Sequence, residues 1–573
     1  MPPGDRERPT PVGPLGDTDR VNRVVLVRSG EGAVRAHEIA EDGGVVAVTR
    51  LPHDELAGFV RAREASPVRW VWDDTTRWYP GLLAAGVRVE RCTDLRLTHA
   101  VLRRSPFVDR SLLADDESPG WDTLQPVTAT APALFPLADP ADRLDPVAEH
   151  DRQLATLAAS VQRDRLALLL AAESSGALVA AEMSHAGLPW RADVHERLLT
   201  ELLGPRPLPG RRPAGLERLL AEIRAAFRAP GLNPDSPGDL LRVLQAAGLP
   251  VSDTRSWTLE QLDHPGIPAL LEYKKLARLL QANGWAWLET WVRGGRVRSY
   301  VRPGGVVTGR WASNGGGALS VPTQVRPAAV ADDGWRFVVA DVAQLEPRVL
   351  AGMSADTAMA EAARASDLYQ GMVAGGAVAT RAEAKVGMLG AMYGGTRGES
   401  GRMMPRMARR YPRAIGLVEE AARAGERGEV VHTLLGRGSP APAGAWADRP
   451  VELGEPPDEG DSRAERDRDR RAWGRFTRNF VVQGTGAEWA LCWMADLRNR
   501  LWRLGGTGTV SERPHLVFFL HDEVLVHAPE HLADDVVDAV RSAAATAGRL
   551  LFGAFPVDFP LDVAVVRSWA DAG

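Results

Sequence analysis

The amino-acid sequence predicts a multidomain protein of mixed α/β and α+β class. The chain has 573 residues, which is too many for a single hydrophobic core. Short apolar runs alternate with helical patterns up to about residue 150, and residues 151 to about 300 are mostly helical in pattern. From about residue 297 to the end, strand and helix patterns are mixed. We therefore expect a small α/β domain followed by a larger helical and α+β unit.

The composition narrows the class of protein. Hydrophobic residues make up 45% of the chain and charged residues 25%, as in ordinary globular proteins, and the net charge is −5. Any affinity for nucleic acid must therefore come from a local basic face. Cys92 and Cys492 are far apart in the sequence and form neither a disulfide framework nor a zinc motif. Since the chain has no secretory signal and no run of 18 apolar residues, we expect a soluble cytoplasmic protein without membrane contact.

The N-terminal part contains a tail and an alternating pattern of strands and helices. Residues 1–21 are rich in proline, glycine and charge, which predicts disorder. Residues 22–150 contain strand patterns at "VNRVVLV", "GVVAVTRL" and "PVRWVWDD", and helix patterns at "HDELAGFVRARE" and "LRLTHAVLRRS". This alternation predicts the small α/β domain.

Helical periodicity dominates the middle of the chain. The segment "DSPGDLLRVLQAAG" begins with a residue typical of helix caps and ends at glycine. The segment "IPALLEYKKLARLLQANGWAWLETWV" predicts one long helix, on which the adjacent Lys274 and Lys275 indicate a solvated face more readily than phosphate contact. Residues 438–471 are rich in proline, glycine and charge and predict a surface insertion.

Two apolar strand patterns end in acidic residues. The strand "RFVVA" runs into Asp341, and a hairpin pattern places Asp522 and Glu523 at its tip. Taken alone, Asp341 is explained by a helix cap or a salt bridge to Arg348, and an aspartate in a tight turn by local hydrogen bonds. If the two strand ends converge, their aspartates could hold two Mg²⁺ ions, which take oxygen ligands and serve phosphoryl transfer.

A third pattern lies on the predicted helix "TRAEAKVGMLGAMYGG". Arg381, Lys385, Leu389 and Tyr393 recur every four residues, which places them along one face over about 18 Å. Two cations followed by an apolar and an aromatic side chain suit a nucleoside triphosphate, although an amphipathic helix with snorkelling basic residues gives the same pattern. Only three of the 69 basic residues are lysines, which favours a role that arginine does not fill.

Together, these segments resemble family A DNA polymerases, the DNA polymerase I type. "DVAQLEPR" resembles the family's motif A (D-Y-S-Q-I-E-L-R), "RAEAKVGMLGAMYG" resembles motif B (R-x-x-x-K-x-x-x-F-G-x-x-Y-G), and "HDE" at 521–523 is motif C. "TGRWAS" and "NFVVQGTGAEW" resemble two further elements of the family. The resemblance implies a right-hand polymerase over residues 151–573. Its expected parts are a helical thumb (about 190–296), an antiparallel-sheet palm (about 297–350 and 476–573) and helical fingers (about 351–475).

The resemblance also implies roles for the matching residues. Asp341 and Asp522, with the carbonyl group of Val342 nearby, would bind two Mg²⁺ ions, for which Mn²⁺ can substitute. Lys385 would be the acid toward leaving pyrophosphate, and Glu523 would support the primer terminus. Residues expected at the incoming deoxynucleoside triphosphate are Gln344, Glu346, Tyr369, Arg381, Lys385, Leu389 and Tyr393. Residues expected at primer–template DNA are Lys274, Lys275, Arg310, Arg326, Asn479, Gln483 and His521. At the incoming nucleotide, Glu346 would exclude a 2′-hydroxyl. The protein is expected to act as a monomer.

Three positions depart from the family pattern. Leu389 stands where motif B has an aromatic residue, so stacking on the incoming base is lost. Val342 replaces the tyrosine of motif A, and Tyr369 stands where a phosphate-binding histidine is expected. These departures concern phosphate affinity, sugar discrimination and speed rather than the metal pair.

The N-terminal α/β domain lies where the family carries a ribonuclease-H-like 3′–5′ exonuclease. "VAEHDRQLATLA" resembles the last motif of that domain and gives Asp151. The first strand lacks the D-x-E motif, and the aspartate of the middle motif falls near Trp78 or Tyr79, neither of which binds metal. Asp73 and Asp74 are close but out of register. We therefore expect an inactive domain kept as a scaffold, with no room for the 5′ nuclease of longer relatives.

Two other classes of function stay open. A single-subunit RNA polymerase shares this palm, but Glu346 and Glu523 argue against it. A catalytically impaired DNA-binding scaffold is supported by the three departures and opposed by Asp341, Asp522 and Lys385. The sequence therefore favours a template-directed DNA polymerase of repair or replication.

Overall fold

A computed structural model gives the fold of the chain. The structure describes residues 21–30, 32–113, 120–126, 140–313, 321–395, 398–442 and 463–572. The predicted N-terminal tail, except Val21, and most of the predicted insertion at 438–471 lie outside these ranges.

The N-terminal part is built on a five-stranded mixed sheet. Its elements are β1 (Val21–Ser29), β2 (Ala33–Ala40), β3 (Val45–Pro52), α1 (Leu56–Arg63), β4 (Arg69–Trp72), α2 (Thr75–Ala84), β5 (Cys92–Asp94), α3 (Leu95–Leu102), α4 (Gly120–Thr123) and α5 (Pro146–Ala158). The strand order is β3-β2-β1-β4-β5; β1 to β3 are antiparallel, and β4 and β5 run parallel to β1. The predicted strand and helix segments are confirmed, whereas the ribonuclease-H-like assignment and the domain boundaries stay predictions.

The middle of the chain is mostly helical. It contains α6 (Arg163–Ala186), β6 (Leu188–Pro189), α7 (Ala192–Leu203), α8 (Ala214–Ala226), α9 (Pro237–Ala246), α10 (Ser256–Leu259), α11 (Ile267–Asn283), α12 (Trp285–Trp291), β7 (Val292–Arg293) and β8 (Arg296–Val297). As the sequence predicts, the Ser236 side chain caps α9 by accepting the N–H of Asp239. The expectation of one long helix from Ile267 is wrong. The backbone is extended at Gly284, where a side chain would collide with the carbonyl oxygen of Leu280, so the chain forms two helices.

The C-terminal part combines helices with a second sheet. Its elements are β9 (Val301–Arg302), β10 (Ala312–Ser313), β11 (Trp335–Val342), α13 (Leu345–Ser354), α14 (Thr357–Ala363), α15 (Leu368–Ala374), α16 (Arg381–Tyr393), α17 (Gly398–Arg410), α18 (Pro412–Glu426), α19 (Arg463–Leu504), β12 (His515–Leu520), β13 (Glu523–Pro529), α20 (Ala533–Phe552) and β14 (Leu561–Val566). The sheet is antiparallel in the order β12-β13-β11-β14. Along β11, Phe337 and Val339 join one core while Val338 and Ala340 join another, so the sheet is buried on both faces.

Helix α6 is the central packing element between the two sheets. One 18-residue window of α6 has a mean hydropathy of 1.5 and is by length and composition apolar enough to cross a membrane, but 72% of that window is buried inside the protein. Leu178 packs into the core of the N-terminal sheet, and Val179 packs into the core beside β11. The hydropathy of α6 is therefore explained by burial on both sides.

Buried charges join the N-terminal sheet to the rest of the protein. The carboxylate of Glu182 in α6 accepts hydrogen bonds from the Tyr79 hydroxyl at 2.6 Å and from the Arg498 guanidinium at 2.6 and 2.8 Å. Arg498, in α19, also donates to the carbonyl oxygen of Glu90 at 2.7 Å. Each buried charge thus depends on a partner from another part of the chain. Tyr79, one of the two positions expected to match the exonuclease aspartate, belongs to this junction.

Candidate active site

The two acidic strand ends predicted from the sequence lie side by side. In the pairing of β11 with β13, Asp341 is opposite Glu523, and in the pairing with β14 it is opposite Asp562. The backbone N–H of Val342 donates to the carbonyl oxygen of Asp522 at 3.1 Å. Because directly opposite residues of an antiparallel sheet project to the same face, three carboxylates form a row beside Asp522.

These carboxylates repel one another. Partial burial, followed by the charges of Asp522, Glu523 and Asp562, raises the pKa of Asp341 to about 7. Burial likewise raises the pKa of Asp522. A divalent cation at this point would relieve the repulsion, and carboxylate oxygens are the ligands that Mg²⁺ prefers.

The residues present fit an open metal site rather than a closed one. Within the described ranges, no group of three or more His, Cys, Asp or Glu side chains is arranged to hold a metal ion on its own. Mg²⁺ is commonly bound through one or two carboxylates together with substrate phosphates. Asp341 and Asp522 meet this requirement, with nucleotide phosphates left to supply the remaining oxygens.

The turn that follows β11 is fixed by Gln344 and Arg348. Gln344 has a left-handed backbone (φ 50°), and its side-chain oxygen accepts the N–H of Leu368 at 3.1 Å. Arg348 is fully buried and donates to the backbone carbonyl oxygens of several residues, which are Ala343, Ala363, Ala365, Ser366 and Asp558. A salt bridge between Arg348 and Asp341 is therefore the wrong explanation for Asp341. The oxygen of Gln344, a residue expected at the nucleotide, is committed to the protein backbone.

Glu346, in the first turn of α13, is held between two side chains. Arg310 donates to Oε1 at 2.5 Å, and the Tyr393 hydroxyl donates to Oε2 at 2.8 Å. Burial and the charge of Glu346 raise the pKa of Tyr393 to about 12, so the tyrosine stays a donor at neutral pH. A pocket beside this contact is lined by Arg310, Glu346, His521 and Asp522 among others. The contact thus connects motif A, motif B and the "TGR" element at the acidic strand ends.

The predicted stripe of α16 lies on one solvent-exposed face. Arg381, Lys385, Leu389 and Tyr393 are all exposed, while residues of the opposite face are buried in a core of their own. The helix begins with a capping box, in which the Thr380 side chain accepts a backbone N–H and a glutamate reaches back to the cap. The spacing argument for this face is therefore confirmed in its geometry.

The two cations of the stripe differ in their surroundings. Arg381 donates to Asp367 at 2.6 Å, and its guanidinium carbon lies 5.7 Å from the ring centroid of Tyr369. Tyr369 is buried, and burial raises the pKa of its hydroxyl. Among the ion pairs of the described residues, none involves Lys385. Lys385 is thus the cation of this face that stays available to a ligand.

Glu523 is held from the side by two residues. The Nε1–H of Trp569 donates to Oε1 at 2.9 Å, and Arg326 donates to Oε2 at 3.5 Å. Arg326, expected at DNA, is therefore also engaged within the protein. Sequence reasoning does not identify Trp569 or Asp562, because both lie outside the three motifs.

The other residues expected at DNA are placed in two groups. Asn479 and Gln483 are one helical turn apart on α19, and both are partly exposed. His521 lies at the hairpin tip with a left-handed backbone (φ 56°), and partial burial of its ring lowers its pKa. Arg310 faces Glu346 in the same region. Arg310 and His521 line the same pocket as Asp522, beside the acidic strand ends.

Lys274 and Lys275 have partners within the protein. Lys274 donates to the carbonyl oxygen of Thr254, and Lys275 forms a 3.5 Å ion pair with Glu272. Lys275 is exposed, which agrees with a solvated face. A role of either lysine at DNA stays a prediction.

The acidic residues of the N-terminal sheet are individually compensated. Asp74 caps α2, accepts a backbone N–H at 2.8 Å, and pairs with Arg96 at 2.5 Å. Asp94 caps α3 and accepts two backbone N–H groups at 2.8 and 2.9 Å. Asp73 accepts the indole N–H of Trp78. None of these three carboxylates is left to the solvent, since all three residues are buried.

The remaining positions of the expected exonuclease site do not gather acidic groups. Trp78 and Tyr79 are buried and donate to carboxylates. Asp151 is exposed on α5. Loss of exonuclease activity stays a prediction.

Comparisons with known proteins agree with this geometry. The model of DNA polymerase family A matches residues 214–571, which is more than half of the chain. The thermostable DNA polymerase I of Thermus filiformis is 28% identical over 401 residues, which cover 62% of this chain and 44% of that protein. DNA polymerase I of Chloroflexus aurantiacus is 28% identical over 339 residues, which cover 54% of this chain and 33% of that protein. The chain thus spans less than half the length of these curated relatives.

A solved structure shares the fold of almost the whole chain. It is described as the POL domain of Pol1 from M. smegmatis in complex with DNA primer-template and dNTP. The TM-score is 0.65 at 20% identity, and the match covers 97% of this chain and 96% of the other. The fold is therefore that of a polymerase domain. With the match of the family model, the chain belongs to DNA polymerase family A, and the resemblance of its motifs is confirmed.

Proposed function

We propose that this protein is a template-directed DNA polymerase that adds deoxynucleotides to a primer 3′ end by two-metal phosphoryl transfer. The observation that carries the proposal is the meeting of Asp341 and Asp522 at adjoining strand ends. Membership of family A and relatives named DNA polymerase I support it. The fold alone would not suffice, because one fold serves many functions.

Asp341 and Asp522 are the proposed metal ligands. Two Mg²⁺ ions, when bound, would activate the primer 3′-hydroxyl and neutralise charge on the leaving pyrophosphate. The protein's contribution is to fix two carboxylates on hydrogen-bonded strands, so that their mutual repulsion is built in before the metal arrives. Mn²⁺ also takes oxygen ligands and is expected to substitute.

The exposed face of α16 is the proposed site of the incoming triphosphate. Arg381 and Lys385 would meet the phosphates, and Leu389 would offer an apolar surface without aromatic stacking. Lys385 can release a proton toward pyrophosphate, whereas an arginine hardly deprotonates. Glu346 is the proposed sugar gate. Since Arg310 and Tyr393 hold both of its oxygens, a 2′-hydroxyl would meet a side chain that cannot move aside without breaking two hydrogen bonds.

Primer–template DNA is the proposed partner. Arg310 and His521 line the pocket beside Asp522, and Asn479 and Gln483 lie one helical turn apart on α19. We expect these four residues to contact phosphate, sugar and minor-groove atoms, which allows any sequence to be copied. The N-terminal domain would contribute no 3′–5′ exonuclease activity, because its buried residues Asp74 and Asp94 cap helices and Asp74 also pairs with Arg96. We place the enzyme in DNA repair or replication, in the cytoplasm and as a monomer.

Primer extension with deoxynucleotides and ribonucleotides in parallel tests this function. Mg²⁺-dependent extension with deoxynucleotides, and little with ribonucleotides, is the expected result. Extension that prefers ribonucleotides would indicate the RNA polymerase alternative. Tight binding of primer–template DNA without any extension would indicate a DNA-binding scaffold. An end-labelled mismatched primer without nucleotides should stay intact, and its metal-dependent shortening would contradict the inactive nuclease.

A further inference from the structure

We propose that Trp569 is a positioning residue, which holds the Glu523 carboxylate away from the metal ligands. This inference rests on the proposed function, since it assigns a role to a residue of that site. Trp569 lies in a short 3-10 turn at the C-terminal end of the described chain, Trp569–Ala572. It is 1% exposed and belongs to none of the three motifs.

The indole of Trp569 is held in place by contacts other than the one with Glu523. Its backbone N–H donates to the carbonyl oxygen of Ala329 at 3.0 Å. Its ring packs on Phe518 of β12, with 4.7 Å between ring centroids. The Arg326 guanidinium carbon lies 4.3 Å from the indole centroid. These contacts fix the position of the indole, so the direction of its Nε1–H group is also fixed.

The two oxygens of Glu523 are divided between two donors. Oε1 accepts the Trp569 indole N–H at 2.9 Å, and Oε2 faces Arg326 at 3.5 Å. Because Arg326 also stacks on the indole, the three side chains form one clamp, which we call the Glu523 clamp. The indole donor is neutral and fully desolvated, so its hydrogen bond constrains direction without adding charge.

The orientation of the Glu523 side chain matters because Glu523 pairs with Asp341 on the adjacent strand. Without lateral donors, the longer Glu523 side chain could swing toward Asp341 and compete for the same cation. The clamp reserves the metal position for Asp341 and Asp522 and turns Glu523 toward Arg326. The proposed consequence is a site in which two of the carboxylates bind metal and a third does not.

The variant Trp569→Phe tests the clamp, because it keeps an aromatic ring against Phe518 and Arg326 and removes only the N–H donor. We expect kcat for primer extension to fall about tenfold while the KM for deoxynucleotide changes less than about twofold. The matched control is Trp493→Phe. Trp493 lies in α19 and donates its buried Nε1–H to the carbonyl oxygen of Val540 at 3.1 Å. The Trp493→Phe variant should lower the Tm about as much as Trp569→Phe does, and its kcat should stay within about twofold of the wild-type value.

A double-mutant cycle separates positioning from general damage. If Trp569 acts through Glu523, Trp569→Phe should add no further loss of kcat to Glu523→Ala, which removes the group being positioned. Independent, multiplying losses would overturn the proposal, and so would equal kcat in Trp569→Phe and Trp493→Phe. If the wild-type protein extends no primer, the proposed function fails. The clamp is then judged by the same cycle on thermal unfolding, where additive changes in Tm would overturn it.

Discussion

Acidic residues follow buried strands in two parts of this molecule, and the two sets are treated in opposite ways. In the N-terminal sheet, Asp74 and Asp94 cap helices, and Asp74 also pairs with Arg96. In the C-terminal sheet, no described side chain forms an ion pair with Asp341 or Asp522. The largest influences on the pKa of Asp341 are partial burial and neighbouring carboxylates.

The difference teaches that the number of acidic residues at strand ends does not define a metal site. A carboxylate that already accepts backbone N–H groups and faces a guanidinium has no need of a cation. A carboxylate beside other carboxylates is stabilised by whatever cation arrives. The compensation of each acid, rather than its presence, separates the proposed polymerase site from the proposed inactive nuclease.

The largest effect on primer extension should come from removing a carboxylate of the candidate active site. Asp522→Ala should reduce Mg²⁺-dependent primer extension by at least about a thousandfold, because one proposed ligand of the metal pair is lost. Binding of primer–template DNA, measured by fluorescence anisotropy, should change only a few-fold. Asp74→Asn is the matched control and should leave the extension rate near that of the wild type. Extension by Asp522→Ala at an undiminished rate would remove the distinction between the two sheets.

The second prediction concerns stability, where the two sets should respond with opposite sign. Asp74→Ala removes a helix cap and a buried ion-pair partner and should lower the free energy of unfolding by about 3 kcal/mol. Asp341→Asn removes like-charge repulsion and should raise the Tm in the absence of divalent cations. Thermal unfolding in a chelating buffer measures both. A lower Tm for Asp341→Asn would mean that partners within the protein already stabilise the charged carboxylate of Asp341.

Glu346 tests the comparison within the candidate active site, because its carboxylate, like those of Asp74 and Asp94, already has hydrogen-bond partners in the protein. Glu346→Ala should raise the ratio of ribonucleotide to deoxynucleotide incorporation by about tenfold, which corresponds to about 1.4 kcal/mol of lost discrimination. Single-nucleotide extension with matched pairs of substrates gives the ratio. The control is Glu289→Ala, because Glu289 is exposed on α12, pairs with Arg206 at 2.6 Å and lies outside the three motifs. An unchanged ratio would contradict the gate and leave Glu346 a structural ion-pair partner.

The smallest effect is expected from the pH dependence of the N-terminal sheet. Burial, followed by the charge of Asp74, raises the pKa of Asp94 to about 6. The folded state therefore holds a proton that the unfolded state releases near pH 4, so stability declines as the pH rises from about 4 to 6. Asp94→Asn keeps a capping side chain and should flatten this decline, by on the order of 1 kcal/mol. Parallel curves of Tm against pH would contradict the shift.

The sequence predicts those features that local patterns encode. Apolar strands that end in Asp341 and Asp522 carry the expectation that these residues meet, and four-residue spacing places Lys385 on an exposed face. The break at Gly284 escapes prediction because apolar periodicity continues through it. Contacts such as Trp569 with Glu523, or Tyr79 with Glu182, join residues that no local pattern connects, so only the packed structure shows them.

The junction of Glu182 with Arg498 bears on how the chain could be shortened. A chain that began after residue 150 would lose the Tyr79 hydroxyl and the carbonyl of Glu90, and would expose two desolvated ions to water. Arg498 lies near one end of the 42-residue helix α19, whose other half carries Asn479 and Gln483. Removing the N-terminal sheet would therefore destabilise the helix that carries two of the residues proposed to bind primer–template DNA, and we expect the proposed activity to require nearly the whole chain.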